Sequence, residues 1–184
     1  MLPESDKGRD GAHRGEMEGR RQKVCCGTDN KPGAVRQERY EHHYGERVSK
    51  LTLQVEVGVL APWGESRMVA EHCLWDTGAT NVTMNKAFAD RMGIVPLRLE
   101  DDELSPMMTV DANYVGTVMA SLRIGDVLIP YDLIKVTDFD PTGRFANMGY
   151  EVPDLLIGMS VIDMGRFEVD STGDETVVTF EPDF

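Results

Sequence analysis

The residue best placed to do chemistry is Asp76, which follows an apolar segment and precedes Thr77 and Gly78. A strand ending at this point would hold the carboxylate in a fixed place, and the Thr77 hydroxyl could hydrogen-bond neighbouring backbone. Gly78 has no Cβ, so the chain can turn sharply there and another backbone can come close. Residues 74–80 therefore predict a carboxylate held rigidly on a tight loop.

One carboxylate of this kind cannot hydrolyse an amide efficiently. The reaction needs a base that activates water, and an acid that protonates the carbonyl oxygen and then the leaving nitrogen. Two carboxylates about 3 Å apart can share one proton, because both cannot ionise so close together. One then acts as the base while the other acts as the acid, so Asp76 requires a second carboxylate as its partner.

Two other segments contain letters similar to Asp-Thr-Gly, but neither predicts a second catalytic loop. Residues 140–143 read Asp-Pro-Thr-Gly and lie in a stretch rich in Pro and Gly. Residues 170–173 read Asp-Ser-Thr-Gly, which is typical of a hairpin turn. Each segment has an inserted residue, so neither supplies the second carboxylate.

The elements around Asp76 are predicted to be short strands. Apolar and polar residues alternate over residues 51–57, which is the pattern of a half-buried strand. Asn85 is predicted to cap a short helix that runs to about Met92 and ends at Gly93, and residues 160–164 predict a second helical turn. Many short strands with little helix predict an all-β domain that is a closed barrel or a sandwich. Further strands are predicted at residues 68–75, 81–84, 107–110, 115–124, 127–136, 155–157, 166–169 and 176–180.

These features together resemble the retroviral-type (retropepsin-like) aspartic proteases, in the branch found in cellular and bacterial genomes. The resemblance covers residues 48–184 and depends on three segments. Residues 74–80 place Asp-Thr-Gly-Ala after an apolar strand, and the mid-chain hairpin lies where the family places its flap. Residues 154–159, Asp-Leu-Leu-Ile-Gly-Met, look like the strand and glycine beneath the family's active-site loop. The resemblance implies a closed barrel with one or two short helices that is half of a two-fold dimer.

The resemblance also implies roles for the residues of the active-site loop. Asp76 would be the catalytic carboxylate, and water held between the Asp76 residues of two subunits would attack the peptide bond. The Thr77 hydroxyl would reach the loop of the opposite subunit, while Gly78 and Ala79 would complete the loop. The expected activity is that of an aspartic endopeptidase acting on a peptide or protein, with neither a metal nor an organic cofactor.

Two further pairs of residues have family counterparts outside this loop. Ile157 and Gly158 would form the strand that supports it. Asn113 and Tyr114 would lie at the flap, within a tip expected over residues 111–116. This segment lacks the Gly-rich tip of viral flaps, so the resemblance fixes the flap residues only loosely.

The charge of the chain is unevenly distributed. Residues 1–50 hold 11 Lys and Arg and 9 Asp and Glu, whereas residues 51–184 hold 8 and 23. Binding to nucleic acid requires the neutralisation of phosphates, so the acidic major part argues against a nucleic-acid partner. Residues 1–46 are polar nearly throughout and predict a mobile tail, followed by a protease-like domain over residues 47–184. Whether this tail is a pro-segment, a regulatory tail or an artefact of the start site is left open.

Composition also bears on the compartment. No apolar run reaches the roughly 18–20 residues that span a bilayer, and residues 1–50 lack the apolar core of a secretory signal. The three cysteines, Cys25, Cys26 and Cys73, make a poor disulfide framework. We therefore expect a cytoplasmic protein without a membrane partner.

Other readings of these residues remain. Cys25 and Cys26 with the two histidines at residues 42–43 lack the spacing of a structural zinc site. The acidic run at residues 100–103 lacks the central glycine that a calcium-binding loop needs. Cys73 is expected to be a small core residue. Two rivals to a protease are left open: a peptide-binding or dimerisation module on the same fold, and a small β-protein in which Asp-Thr-Gly is only a turn.

Overall fold

A computed structural model of the chain describes residues 38–61, 64–98 and 113–184. The predicted hairpin arm at residues 107–110, the acidic run at 100–103, and Cys25 and Cys26 lie outside these ranges. The described residues form nine strands and three short helices. In chain order they are β1 Tyr40–His43, β2 Thr52–Ala61, β3 Gly64–Trp75, β4 Thr83–Asn85, α1 Lys86–Arg91, β5 Tyr114–Ile124, β6 Val127–Thr137, α2 Arg144–Asn147, β7 Leu155–Ile157, α3 Met159–Ile162, β8 Gly165–Asp170 and β9 Val177–Pro182.

Six of the strands close into a barrel in the order β2-β3-β7-β4-β6-β5. The remaining strands form a three-stranded sheet in the order β1-β9-β8. The predicted all-β fold, a closed barrel with short helices, is confirmed. In the part of the chain that the structure describes, no helix combines the length and the apolar character needed to span a membrane.

The barrel consists of two halves with the same internal order. The first half is the hairpin β2-β3, then β4 and α1, and the second is the hairpin β5-β6, then β7 and α3. Each strand of one half has the same neighbours in the barrel as its counterpart in the other half. For example, β3 pairs with β7 in parallel, as β6 does with β4. The antiparallel pairs β2-β5 and β4-β7 join one half to the other.

The barrel core follows from the alternation of side chains along the strands. Val55, Val57 and Val59 are at most 2% exposed, because every second residue of β2 faces the interior. Trp75 at the end of β3 packs against Phe167 of β8 with ring centroids 4.9 Å apart, and this contact joins the barrel to the second sheet.

Cys73 is buried in this core, as predicted. Burial raises the pKa of its thiol, and the nearby Asp154 carboxylate raises it further. The thiol therefore stays protonated and is a poor nucleophile.

The predicted helix after β4 is also confirmed. The Asn85 side chain accepts a hydrogen bond from the backbone N–H of Ala87, so Asn85 caps α1 as expected. Gly93, just beyond the helix, has a φ of +70°, a conformation that glycine adopts without strain.

Sequence patterns missed two elements. The tail predicted over residues 1–46 does not extend to residue 46, because Tyr40–His43 is already a strand that pairs antiparallel with β9. The stretch rich in Pro and Gly that includes residues 140–143 is followed by the short helix α2, which was not predicted. β1 depends on a distant partner strand, whereas the hydrogen bonds of α2 come from residues 140–150.

Candidate active site

Asp76 is the first residue after β3, and β7 holds it in place. β3 and β7 run parallel, with Trp75 opposite Ile157. The backbone N–H of Asp76 donates a hydrogen bond of 2.9 Å to the carbonyl oxygen of Ile157. The ladder between the two strands thus continues to the aspartate itself, which fixes its backbone.

The loop after Asp76 turns back on its carboxylate. Asp76 Oδ1 accepts a hydrogen bond of 2.9 Å from the Gly78 N–H, and the Asp76 carbonyl accepts one of 3.1 Å from the Ala79 N–H. The side chain is half-buried, whereas Thr77 and Gly78 are exposed. The carboxylate is therefore fixed through one oxygen at the edge of the barrel.

Gly158 supports this loop from below. A Cβ built on Gly158 would lie 2.5 Å from the Asn81 carbonyl oxygen and 2.6 Å from that of Ala79, distances that no side chain can occupy. The next two residues hold the loop directly, since Met159 N–H donates to the Ala79 carbonyl and Ser160 N–H to the Thr80 carbonyl, both at 2.8 Å. The structure thus brings Ile157 and Gly158 against the Asp76 loop.

Thr77 is exposed at the tip of the loop. Within the described parts of the chain its hydroxyl has no hydrogen-bond partner. The contact of Thr77 with a second subunit stays a prediction.

The two candidate flap residues occupy different environments. Asn113 is exposed, and its carbonyl accepts a hydrogen bond from the Asp138 N–H. Tyr114 is the first residue of β5 and only 8% exposed, and its buried hydroxyl has no hydrogen-bond partner among the described residues. Sequence analysis missed a contact in this region: Leu97 exchanges two backbone hydrogen bonds with Thr117, of 2.8 and 2.7 Å. The part played by residues 113 and 114 in a flap stays a prediction.

The two segments set aside as imperfect copies have separate roles. Asp140 lies between β6 and β7, and its carboxylate accepts hydrogen bonds from the N–H groups of Phe145 and Ala146 at the start of α2. Asp170 lies in the β8-β9 hairpin, where its carboxylate accepts from the Thr172 backbone N–H and hydroxyl. These bonds lower the pKa of Asp170, the backbone bond most. The hairpin turn predicted at residues 171–174 is confirmed.

An apolar cleft of about 380 Å³ includes Leu156 of β7 in its lining. Leu156 pairs with Leu74, which lies two residues before Asp76 at the end of β3. No pattern in the sequence indicates this cleft, because most of its wall comes from residues 139–153. Its lining residues are Lys50, Phe139, Phe145, Tyr150, Glu151, Val152, Pro153 and Leu156.

Comparison with known proteins finds similarity among solved structures. No protein-family model and no curated protein matches the sequence. Among solved structures, the chain is similar to the crystal structure of the retroviral protease-like domain of Ddi1 from Leishmania major. The identity is 19% and the TM-score 0.40, over 68% of this chain and 84% of that chain. At this TM-score the likeness assigns no role to any residue of this chain.

Proposed function

We propose that this protein is an aspartic endopeptidase that acts as a homodimer, with the Asp76 residues of two copies as its catalytic pair. The observation that carries the proposal is the loop of residues 76–79. It presents a half-buried carboxylate, fixed by the Gly78 N–H, beside exposed loop residues that a second copy can approach. An ordinary turn would not need the support that Gly158 gives to the loop from below.

The chemistry follows from bringing two such carboxylates together. At a separation of about 3 Å the pair holds a single proton, and the two groups titrate as a unit. The ionised carboxylate takes a proton from the bound water, which attacks the peptide carbonyl carbon. The protonated carboxyl donates its proton to the carbonyl oxygen, and a proton then passes to the leaving nitrogen. The Thr77 hydroxyl of each copy hydrogen-bonds the loop of the other and keeps the two carboxylates in register.

The substrate is a peptide or protein segment bound in extended form across the two loops. Its apolar side chains enter the cleft lined by Leu156, which pairs with Leu74 near the end of β3, two residues before Asp76. The described cleft provides mainly apolar contacts, so we expect apolar residues next to the scissile bond to bind best.

Replacement of Asp76 by Asn tests the proposal. Asn keeps the size of the side chain and an oxygen that can accept the Gly78 hydrogen bond, so the fold and the dimer should persist. Cleavage of a peptide library should fall by at least about 10³-fold, because the acid–base pair is lost. The matched control is Asp138→Asn, since Asp138 also accepts a hydrogen bond from the N–H two residues ahead, at 3.1 Å.

The measurements are peptide turnover and the molecular mass in solution. Equal turnover by Asp76→Asn and the parent protein would overturn the proposal. A monomer that cleaves peptides would overturn the dimeric pair. Peptide binding in the cleft without any turnover by the parent would favour the rival function, a peptide-binding module.

A further inference from the structure

A second buried carboxylate, outside the Asp76 loop, connects the elements on which that loop depends. Asp154 lies immediately before β7 and is 5% exposed. Its Oδ2 accepts hydrogen bonds from the backbone N–H groups of Glu71 and His72 in β3, at 3.2 and 3.4 Å. Its Oδ1 accepts one of 2.5 Å from the guanidinium of Arg91 at the end of α1. One side chain therefore contacts both β3 and α1.

The backbone of Asp154 makes the same connections. Its N–H donates to the His72 carbonyl at 2.7 Å, and its carbonyl accepts from the Asn85 N–H at 2.8 Å. Buried carboxylates are costly unless hydrogen bonds and opposite charge satisfy them, and Asp154 has both. The Asp154 carboxylate is thus fully satisfied, and the residue forms a junction of β3, β7 and α1.

The junction sets the register of β7 against β3. Three residues after Asp154, Ile157 presents the carbonyl that accepts the Asp76 N–H, and Gly158 then passes beneath the loop. A slip of one residue would turn the side chains of β7 to opposite faces and place another residue under the loop. Because β7 is a three-residue strand, its own ladder fixes the register weakly.

We propose that Asp154 is a positioning residue for Asp76. Through Glu71, His72 and Arg91 it holds β7 in the register that delivers the Ile157 carbonyl to the Asp76 N–H and Gly158 to the loop. The inference rests on the proposed function in one respect, namely that Asp76 is the group whose position matters for turnover.

The test is Asp154→Asn, which keeps the shape of the side chain. It removes the negative charge that pairs with Arg91 and that accepts hydrogen bonds from the Glu71 and His72 N–H groups. The matched control is Asp90→Asn. Asp90 is an exposed carboxylate on α1, the helix that also holds Arg91, and it is paired with Lys86. Hydrogen exchange of the Asp76 amide is measured beside that of β2 amides such as Val55. We expect the Asp76 amide to lose about tenfold in protection while β2 amides keep theirs, since local openings are separable from global unfolding.

Peptide turnover provides the second readout. We expect kcat to fall by about tenfold to a hundredfold with KM little changed, because small displacements of catalytic groups are costly. A merely stabilising ion pair predicts a different result: protection falls equally at all amides, and kcat per folded molecule stays at the parental value. That result, or unchanged Asp76 protection, would overturn the proposal.

The outcomes also separate this proposal from the proposed function. If the parent protein cleaves no peptide but Asp154→Asn still loosens the Asp76 amide, the positioning role stands and the protease assignment fails. If the parent is active and Asp154→Asn changes neither readout, the protease assignment stands and the positioning role fails. Should Asp154→Asn fail to fold, Arg91→Gln provides the same test, because it removes only the ionic part of the junction. Arg91→Gln is then expected to loosen the Asp76 amide selectively, and uniform or absent loosening would overturn the positioning role.

Discussion

The two halves of the barrel each have a connection at the end of a long strand, and each connection begins with an aspartate. Asp76 follows β3 and Asp138 follows β6. Both carboxylates accept a hydrogen bond from the backbone N–H two residues later, at 2.9 Å for Asp76 and 3.1 Å for Asp138. At their first residues the two connections are nearly alike.

Beyond this point the connections differ. The first returns to the barrel over residues 76–82 and is held by the other half, through Ile157 and the residues after it. The second runs over residues 138–154, contains α2, and carries exposed apolar side chains such as Phe145 and Tyr150. The residue after β7 is Gly158, beneath the first loop, whereas the residue after β4 is Lys86, whose side chain is 41% exposed.

The difference shows what an aspartate needs in order to become a catalytic candidate in this fold. A short connection, packed on a glycine and anchored by a carbonyl of the opposite half, holds its carboxylate at a fixed position. A long connection leaves its aspartate to organise local backbone and places apolar side chains around a cleft. Three substitutions with progressively smaller expected effects test this difference between the short and the long connection.

Gly158→Ala should have the largest effect on stability. The added methyl would meet the carbonyl oxygens of Asn81 and Ala79 at 2.5 and 2.6 Å, so the loop or β7 has to move. We expect a loss of about 3 kcal/mol in the free energy of unfolding, measured by urea denaturation, because overpacking against backbone is costly. Gly173→Ala is the control, since a Cβ there meets nothing within 4 Å. Equal stabilities of the two variants would remove Gly158 from its supporting role.

Phe145→Ala should act on substrate binding and leave the stability almost unchanged. Phe145 lines the cleft and is 50% exposed, so the folded protein loses little burial when it is removed. For peptides with a large apolar residue beside the scissile bond, we expect KM to rise by about tenfold, the effect of losing part of an apolar pocket. Met148→Ala is the control, because Met148 is similarly exposed on the same connection but does not line the cleft. An equal rise in KM for both variants would show that the cleft does not receive the substrate.

Asp140→Ala should have the smallest effect. It removes the acceptor for the Phe145 and Ala146 N–H groups, and we expect a loss of about 1 kcal/mol in unfolding free energy. Peptide turnover should stay at the parental level, because Asp140 organises α2 and lies outside the Asp76 loop. A loss of turnover as large as that of Asp76→Asn would restore residues 140–143 as a catalytic candidate within a single chain.

Local sequence patterns predicted much of the fold. Alternation of apolar and polar residues placed β2, and the strands predicted at residues 115–124 and 127–136 match β5 and β6. Asn85 and Gly93 marked the limits of α1. These predictions succeed because each depends on residues within one or two turns of the chain.

Features that depend on distant partners were not predictable in this way. β1 is too short and polar to be recognised, and it exists because Tyr40 pairs with Phe180. The pairing of Leu97 with Thr117 and the repetition of one strand order in both halves likewise have no local signal. The significance of Asp138 was missed because Phe139 and Asp140 follow it directly, whereas Thr77 and Gly78 follow Asp76.

For the candidate site, residue types and their spacing predicted the carboxylate, its turn and the apolar strand before Gly158. The three-dimensional fold was needed to show which carbonyl receives the Asp76 N–H, why Gly158 admits no side chain, and that Asp154 joins β3 to α1. A carboxylate and its turn are properties of adjacent residues. Hydrogen bonds across the barrel depend on register, which is set by pairing between segments far apart in the chain.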